Sequence, residues 1–223
     1  MKRSIIFDID GTLLYARGIG RSAFGVAFKE AYGVDYPDVN KLSFVGATDS
    51  NVVRNMATEC GLENAPEHEE RFFAALAREL EQGLAQQKPL VYPGVPEMLH
   101  ALQSQGLSLG IITGNIRATA WSKLRHAEIA HFFTFGAYGD DHHERPAITD
   151  HAIRRAPAEA PVVMMIGDTP LDIHAAKHNR LTAIAVATGW VSAKELKDAG
   201  ADLVLDDFSD TSRCVASVIK LLK

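Results

Sequence analysis

Two aspartates, Asp8 and Asp10, follow the apolar run Ile5-Ile6-Phe7 and precede Gly11-Thr12. A brief β-branched and aromatic run stopped by a glycine reads as a buried strand, here Ile5 to Ile9. Carboxylates at its end are costly without a partner, because a charge entering an apolar core loses its hydration. Residues two apart on a strand share a side, so Asp8 and Asp10 are expected to face one another's ligand. Like charges that close require a metal ion, a proton, or both. Asp10-Gly11 alone is an ordinary turn dipeptide. The longer Asp-x-Asp-Gly-Thr after an apolar strand is far more specific.

Two later stretches have the same form. Ile111-Ile112-Thr113-Gly114-Asn115 places a hydroxyl, a glycine and an amide between a strand and a helix N-terminus, a favourable site for an anion. A plain strand-to-helix turn with an asparagine cap is the alternative. In Ile166-Gly167-Asp168-Thr169-Pro170-Leu171-Asp172, Asp168 falls at a strand tip. Asp172, in the first helical turn, either serves the loop or a cation, or only meets the helix dipole. Clustered carboxylates suit a hard cation, and the neighbouring donors suit an anion. A phosphate with magnesium satisfies both.

The elements that would position these residues alternate in type. From Leu90 onward, strands are expected at 107–112, 132–138, 162–166, 182–187 and 203–205, with helices between them and a last helix to Leu222. This pattern predicts a doubly wound, Rossmann-like parallel sheet with helices on both faces, its crevice at the C-terminal strand ends. Between Gly18 and Gln87 no convincing strand occurs. Helices are expected at 22–32, 50–60 and 66–86, the first two stopped by Gly33 and Gly61. The expected organisation is a core of residues 1–17 and 88–223 with an all-helical cap of residues 18–87.

Composition excludes several other classes. The 223 residues are 47% hydrophobic and 23% charged, with a net charge of −5 and no polybasic block. That argues against nucleic acid or an anionic membrane as the main partner. No stretch approaches the roughly 18 apolar residues of a membrane span. Asp8 and Asp10 interrupt the N-terminal apolar run before it could serve as a signal peptide, so a cytoplasmic protein is expected. Cys60 and Cys214 form no metal or redox motif.

Together these residues resemble the haloacid dehalogenase superfamily, in particular its phosphoglycolate-phosphatase-like members. Asp8-Ile9-Asp10-Gly11-Thr12 matches the first motif of that family, Thr113 the second, and Gly167-Asp168-Thr169-Pro170-Leu171-Asp172 the fourth. Tyr92-Pro93-Gly94-Val95 resembles the return from cap to core. The third motif departs from the pattern: no lysine occurs between Lys123 and Lys177, and Arg145, directly before Pro146, is the expected replacement. Its alternative is a surface residue paired with Glu144 or Asp141.

The resemblance implies a Mg2+-dependent phosphatase acting on a small phosphorylated metabolite. In that reading Asp8 is the nucleophile and Asp10 the general acid and base. Asp8, Asp10 (through its carbonyl) and Asp168 hold the metal, with Thr12 and Asp172 in support. Thr113, Gly114, Asn115 and Arg145 bind the phosphoryl group. Candidate specificity residues are Thr48, in a Gly46-Ala47-Thr48-Asp49 cap loop expected to face the site, and Arg17, Arg21 and Arg54 as contacts for a carboxylate or second phosphate, with solvated surface charge as the arginines' alternative. A phosphomutase shares the Asp pair, and a phosphonatase would need a cap lysine such as Lys29 or Lys41. A non-catalytic phosphate- and magnesium-binding regulatory protein is the reading from another class.

Overall fold

Short apolar runs alternate with helical stretches, and in the computed structural model, which describes residues 2–222, they build one parallel sheet. The chain opens with β1 (Ser4–Phe7) and β2 (Leu14–Tyr15), followed by α1 (Ile19–Tyr32), α2 (Asp49–Glu59) and α3 (Pro66–Gln86). It returns through β3 (Leu90–Val91) to α4 (Val95–Ser104), β4 (Ser108–Ile112), α5 (Arg117–His126) and β5 (Phe135–Ala137). Then come α6 (Arg145–Arg155), β6 (Val162–Gly167), α7 (Pro170–His178) and β7 (Thr182–Val186). The last elements are α8 (Ala193–Asp198), β8 (Leu203–Leu205) and α9 (Thr211–Leu221).

The six-stranded sheet has the order β5-β4-β1-β6-β7-β8, every pairing parallel. From β1 the chain winds outward through β4 and β5 on one side, then through β6, β7 and β8 on the other. The reversal beside β1 is a topological switch point, where the strand ends open a crevice. Ile5 and Phe7 of β1 face one core with Leu109, Ile111, Met164 and Ile166. Ile6 faces the opposite core with Ile112, Met165 and Ala183. Burial on both faces is what a sheet covered by helices on each side demands.

The doubly wound core and the helical insert are as the sequence predicts, with three local differences. Leu14–Tyr15 and Leu90–Val91 form an antiparallel ribbon where the chain leaves and re-enters the sheet, and neither was expected as a strand pair. The strand expected at 132–138 shrinks to Phe135–Ala137, because a 3-10 turn, Ala130–Phe132, takes its start. α1 begins at Ile19, three residues earlier than expected, and α6 begins at Arg145 with Pro146 in its first turn. Proline tolerates that position because the first helical N–H groups lack partners anyway.

The insert has its own apolar centre, in which Phe24, Phe28, Val53, Met56, Phe72 and Leu76 are buried. Phe24 makes edge-to-face contacts with both Phe44 and Phe72. α3 also packs on α5 of the core, where Glu81 accepts from Ser122 and pairs with His126 at 2.9 Å.

Ile6 is fully buried at the centre of the sheet. Ile6→Ala is expected to lower unfolding stability by about 2–5 kcal/mol, measured by urea denaturation at constant m-value.

Candidate active site

β1 ends at Phe7, and the Asp8 amide extends its ladder by donating to the Ile166 carbonyl at 2.9 Å. The Asp8 side chain is buried and its Oδ1 lies 2.6 Å from Arg145 NH2. Arg145, also buried, stands at the N-terminus of α6 and reaches back under the strand ends. Its Nε and NH2 donate to Asp172 Oδ1 at 3.0 and 2.6 Å. The other oxygen of Asp172 accepts from the Thr169 amide and hydroxyl at 3.1 and 2.7 Å, closing a capping box on α7. Asp172 therefore has both oxygens engaged and orients Arg145 and the loop together. The surface pairing considered for Arg145 does not occur: Asp141 pairs instead with Arg155.

Asp168 completes the cluster. Its Oδ1 accepts from the Thr12 hydroxyl at 3.1 Å. Gly11 lies against it with φ +86°, and a Cβ there would stand 2.2 Å from Asp168 Oδ2. Only glycine allows this backbone conformation and this approach at no steric cost. Carboxylate oxygens of Asp8, Asp168 and Asp172 lie within 4.8 Å of one another. Three buried carboxylates thus face one guanidinium. Burial raises the Asp8 pKa, Arg145 pulls it down, and Asp172 and Asp10 push it up again. Burial also raises that of Asp168, reinforced by Asp8 and Asp172. This all-oxygen, anion-rich pocket fits a hard divalent cation, and with Asp172 saturated the ligands available are Asp8 and Asp168.

On the other side of β1, Thr113 follows β4 and is buried. Its Oγ1 accepts from the amide and side chain of Asn115 at 3.2 and 2.6 Å, which leaves the hydroxyl proton to donate elsewhere. Gly114 lies directly under the insert: a Cβ there would be 2.0 Å from the Ala47 carbonyl oxygen. The Asp49 amide donates to the Gly114 carbonyl at 2.8 Å, and Asp49 Oδ2 accepts from the Ile116 amide at 2.8 Å.

Asp10 departs from the simple strand picture. Because β1 stops at Phe7, Asp10 forms an isolated bridge with Leu14 and its side chain turns away from Arg145. Its Oδ2 accepts from Asn115 Nδ2 at 2.7 Å and from Lys123 Nζ at 2.6 Å. Asn115 is thus spent on Asp10 and Thr113.

Asp8, Asp10, Thr113, Gly114, Asn115, Arg145 and Asp168 all line one cavity of about 550 Å3. The four candidate specificity residues have different fates. Arg21 lines the cavity, but its NH1 donates to the Val39 and Leu42 carbonyls at 2.6 and 2.8 Å, and its guanidinium lies over Phe44. Thr48 caps α2, accepting from the Asn51 amide at 3.2 Å. Arg54 pairs with Glu69 beside a separate shallow groove. Arg17 is exposed, at φ 51°, and does not line the cavity. Lys29 is exposed and paired with Asp35, whereas Lys41 lines the cavity.

The model of the haloacid dehalogenase-like hydrolase family matches residues 5–186. The chain is a haloacid dehalogenase-like hydrolase. It is 30% identical over 228 residues to the probable phosphatase IndB of Dickeya dadantii, covering 99% of this chain and 96% of that one. It is 25% identical to the phosphoglycolate phosphatase of Synechococcus elongatus, covering 98% and 99%. Among solved structures, a hydrolase from Pseudomonas syringae superposes with a TM-score of 0.74 at 24% identity, covering 97% and 99% of the two chains. CbbY from Rhodobacter sphaeroides, in complex with phosphate, gives 0.72 at 24% identity, covering 94% and 96%. Family and relatives together make this hydrolase a phosphatase.

Two residues of this haloacid dehalogenase-like hydrolase escaped the sequence reading. Lys123 is the first; its signal was a lysine three residues after Ala120 and one before Leu124, on the buried face of α5. Asp49 is the second: the stretch 46–49 is expected from the sequence to face the site, but nothing there assigns a role to this carboxylate, which opens α2. Burial pushes the Asp49 pKa up to about 7, against the opposing pull of Lys123.

A carboxyl whose folded pKa lies above its unfolded one binds extra protons when folded, so stability is lost as pH rises through the folded value. Asn keeps an acceptor for the Ile116 amide and removes the charge. Asp49→Asn is therefore expected to gain about 1–4 kcal/mol relative to wild type between pH 5 and pH 8, read by urea unfolding at each pH. A constant difference across that range would mean that Lys123 keeps Asp49 ionised throughout.

Proposed function

We propose that this phosphatase hydrolyses a small phosphate monoester through an aspartyl-phosphate formed on Asp8, with Mg2+ as cofactor. The observation that carries the reading is the convergence of three strand ends and one helix start: Asp8 after β1, Thr113 after β4, Asp168 at the end of β6 and Arg145 at the start of α6. An Asp8 oxygen attacks phosphorus, and the bond to the leaving oxygen breaks as Asp10 protonates that oxygen. Asp10 then takes a proton from water, which attacks the same phosphorus and releases inorganic phosphate, restoring Asp8. Asp8, the Asp10 carbonyl and Asp168 would hold Mg2+, whose charge offsets repulsion between the anionic nucleophile and substrate.

Arg145 differs from a lysine in what it can hold. Its Nε and NH2 are fixed by Asp172, so the remaining edge of a planar fork is presented to a phosphoryl oxygen. Thr113 offers its hydroxyl proton from the opposite side. The ordinary partner of this fork in the resting site is Asp8 itself.

The helical insert acts as the cap over this site. Its cavity wall is mainly apolar: Phe24, Leu42, Phe44, Leu76 and Leu80, with Tyr15 and Trp190 beside it. Of the three arginines suggested for a second anionic group, only Arg21 lines the cavity, and its NH1 is held by backbone carbonyls. The leaving group we propose is therefore a compact alcohol with an apolar or aromatic body, not a glycolate-like acid.

Phosphate release from an aryl phosphate should require Mg2+, stop with chelator, and fall at least about 10³-fold in Asp8→Asn with the fold intact by circular dichroism. Near-full turnover in Asp8→Asn would remove the nucleophile from the scheme. On substrate choice, kcat/KM for 2-phenylethyl phosphate is expected to exceed that for phosphoglycolate by roughly tenfold, the worth of one or two buried CH2 groups. The reverse order would place the carboxylate against Lys41.

A further inference from the structure

Lys123 is the one group bound to the Asp10 carboxylate that neither the motifs nor the proposed chemistry uses. Its side chain is 7% exposed, and its Nζ lies 2.6 Å from Asp10 Oδ2 and 2.7 Å from Asn115 Oδ1. The Asn115 Nδ2 in turn donates to the same Asp10 oxygen at 2.7 Å. Asp10, Asn115 and Lys123 therefore close a triangle, in which each side chain fixes the other two. An ammonium taken out of water is costly, and a fold that only needed a helix here could place an apolar side chain among Ala120, Leu124 and their neighbours.

The direction of the contacts matters more than their number. Both donors converge on Oδ2 of Asp10. The carboxylate cannot rotate about its last bond without losing one of them, so Oδ1 is held in a set direction. Asp10 is only partly buried, its side chain 42% exposed in the cavity, and without the triangle it would be free to swing. Lys123 comes from the second turn of α5, whose side chains lean back toward the helix N-terminus and hence toward the β4 strand end. That geometry delivers the ammonium from α5 to Asp10.

We propose that Lys123 is a positioning residue that aims the Asp10 carboxyl at the oxygen of the departing alcohol. The proposal rests on the phosphatase reading given above. Its chemical consequence is selective. An alkoxide leaves only when protonated, so the proton on Asp10 must lie in line with the breaking bond. A nitrophenolate leaves without a proton, and for it the aim of Asp10 is immaterial up to the first release step. A salt bridge that merely held α5 against the loop would affect both esters alike.

The experiment measures kcat/KM, which reports steps through leaving-group departure, for 2-phenylethyl phosphate and 4-nitrophenyl phosphate with Mg2+. In Lys123→Met the alkyl ester is expected to lose about 100-fold and the nitrophenyl ester less than about threefold. Lys123→Arg, which keeps a donor near Oδ2, should recover at least about tenfold of the alkyl loss. Should Lys123→Met fail to fold, Lys123→Ala, which needs less room on the buried face of α5, is expected to show the same split between esters. Equal losses on both esters, or none on either, would overturn the positioning role while the phosphatase reading stands. A folded wild type that releases phosphate from neither ester would overturn the phosphatase reading, and this role with it.

Discussion

The excess of buried negative charge at the end of β1 governs this structure. Asp8, Asp168 and Asp172 stand together with Arg145, the one cation among them in the described residues. Such a cluster is unstable in a low-dielectric pocket unless each member has a fixed partner and a further cation arrives. Much of the local architecture reads as a response. α6 starts early enough to bring Arg145 beneath the strands, α7 is capped by the very carboxylate that grips Arg145, and Thr12 holds Asp168 from the neighbouring loop.

The sheet makes this possible by geometry alone. β4 and β6 flank β1, so the residues following all three strands meet over one crevice. The carboxylates come from the β1 and β6 side, the neutral donors from the β4 side, and a phosphoryl group fits between them. The insert closes the remaining face with aromatic and aliphatic side chains. The result is charge below and apolar surface above, the division on which the proposed chemistry rests.

The doubly wound fold and the meeting of Asp8, Thr113 and Asp168 were legible in the sequence, because strand-end residues inherit their positions from topology. The span of α3 could be read outright from helical spacing between Pro66 and Gln86. What could not be read depends on where long side chains end up. Arg21, Arg54 and Arg145 look alike as letters, yet they end on backbone carbonyls, on a surface glutamate and beside the central aspartate. Lys123 was invisible for a related reason: its partner lies on another element, and helix periodicity marks it only as a misplaced charge. The two-residue strands Leu14–Tyr15 and Leu90–Val91 are too short for any alternation to announce them.

The seat of the insert on the core has one more implication. At Gly114 and Asp49 the contact runs through main-chain atoms, the Asp49 amide meeting the Gly114 carbonyl and the Ala47 carbonyl lying where any side chain at 114 would collide. Main-chain docking is indifferent to most changes of side chain nearby. Phe44, half-buried at the cavity wall, can therefore change without unseating the insert, whereas Phe24 and Leu76 belong to the insert's own buried centre.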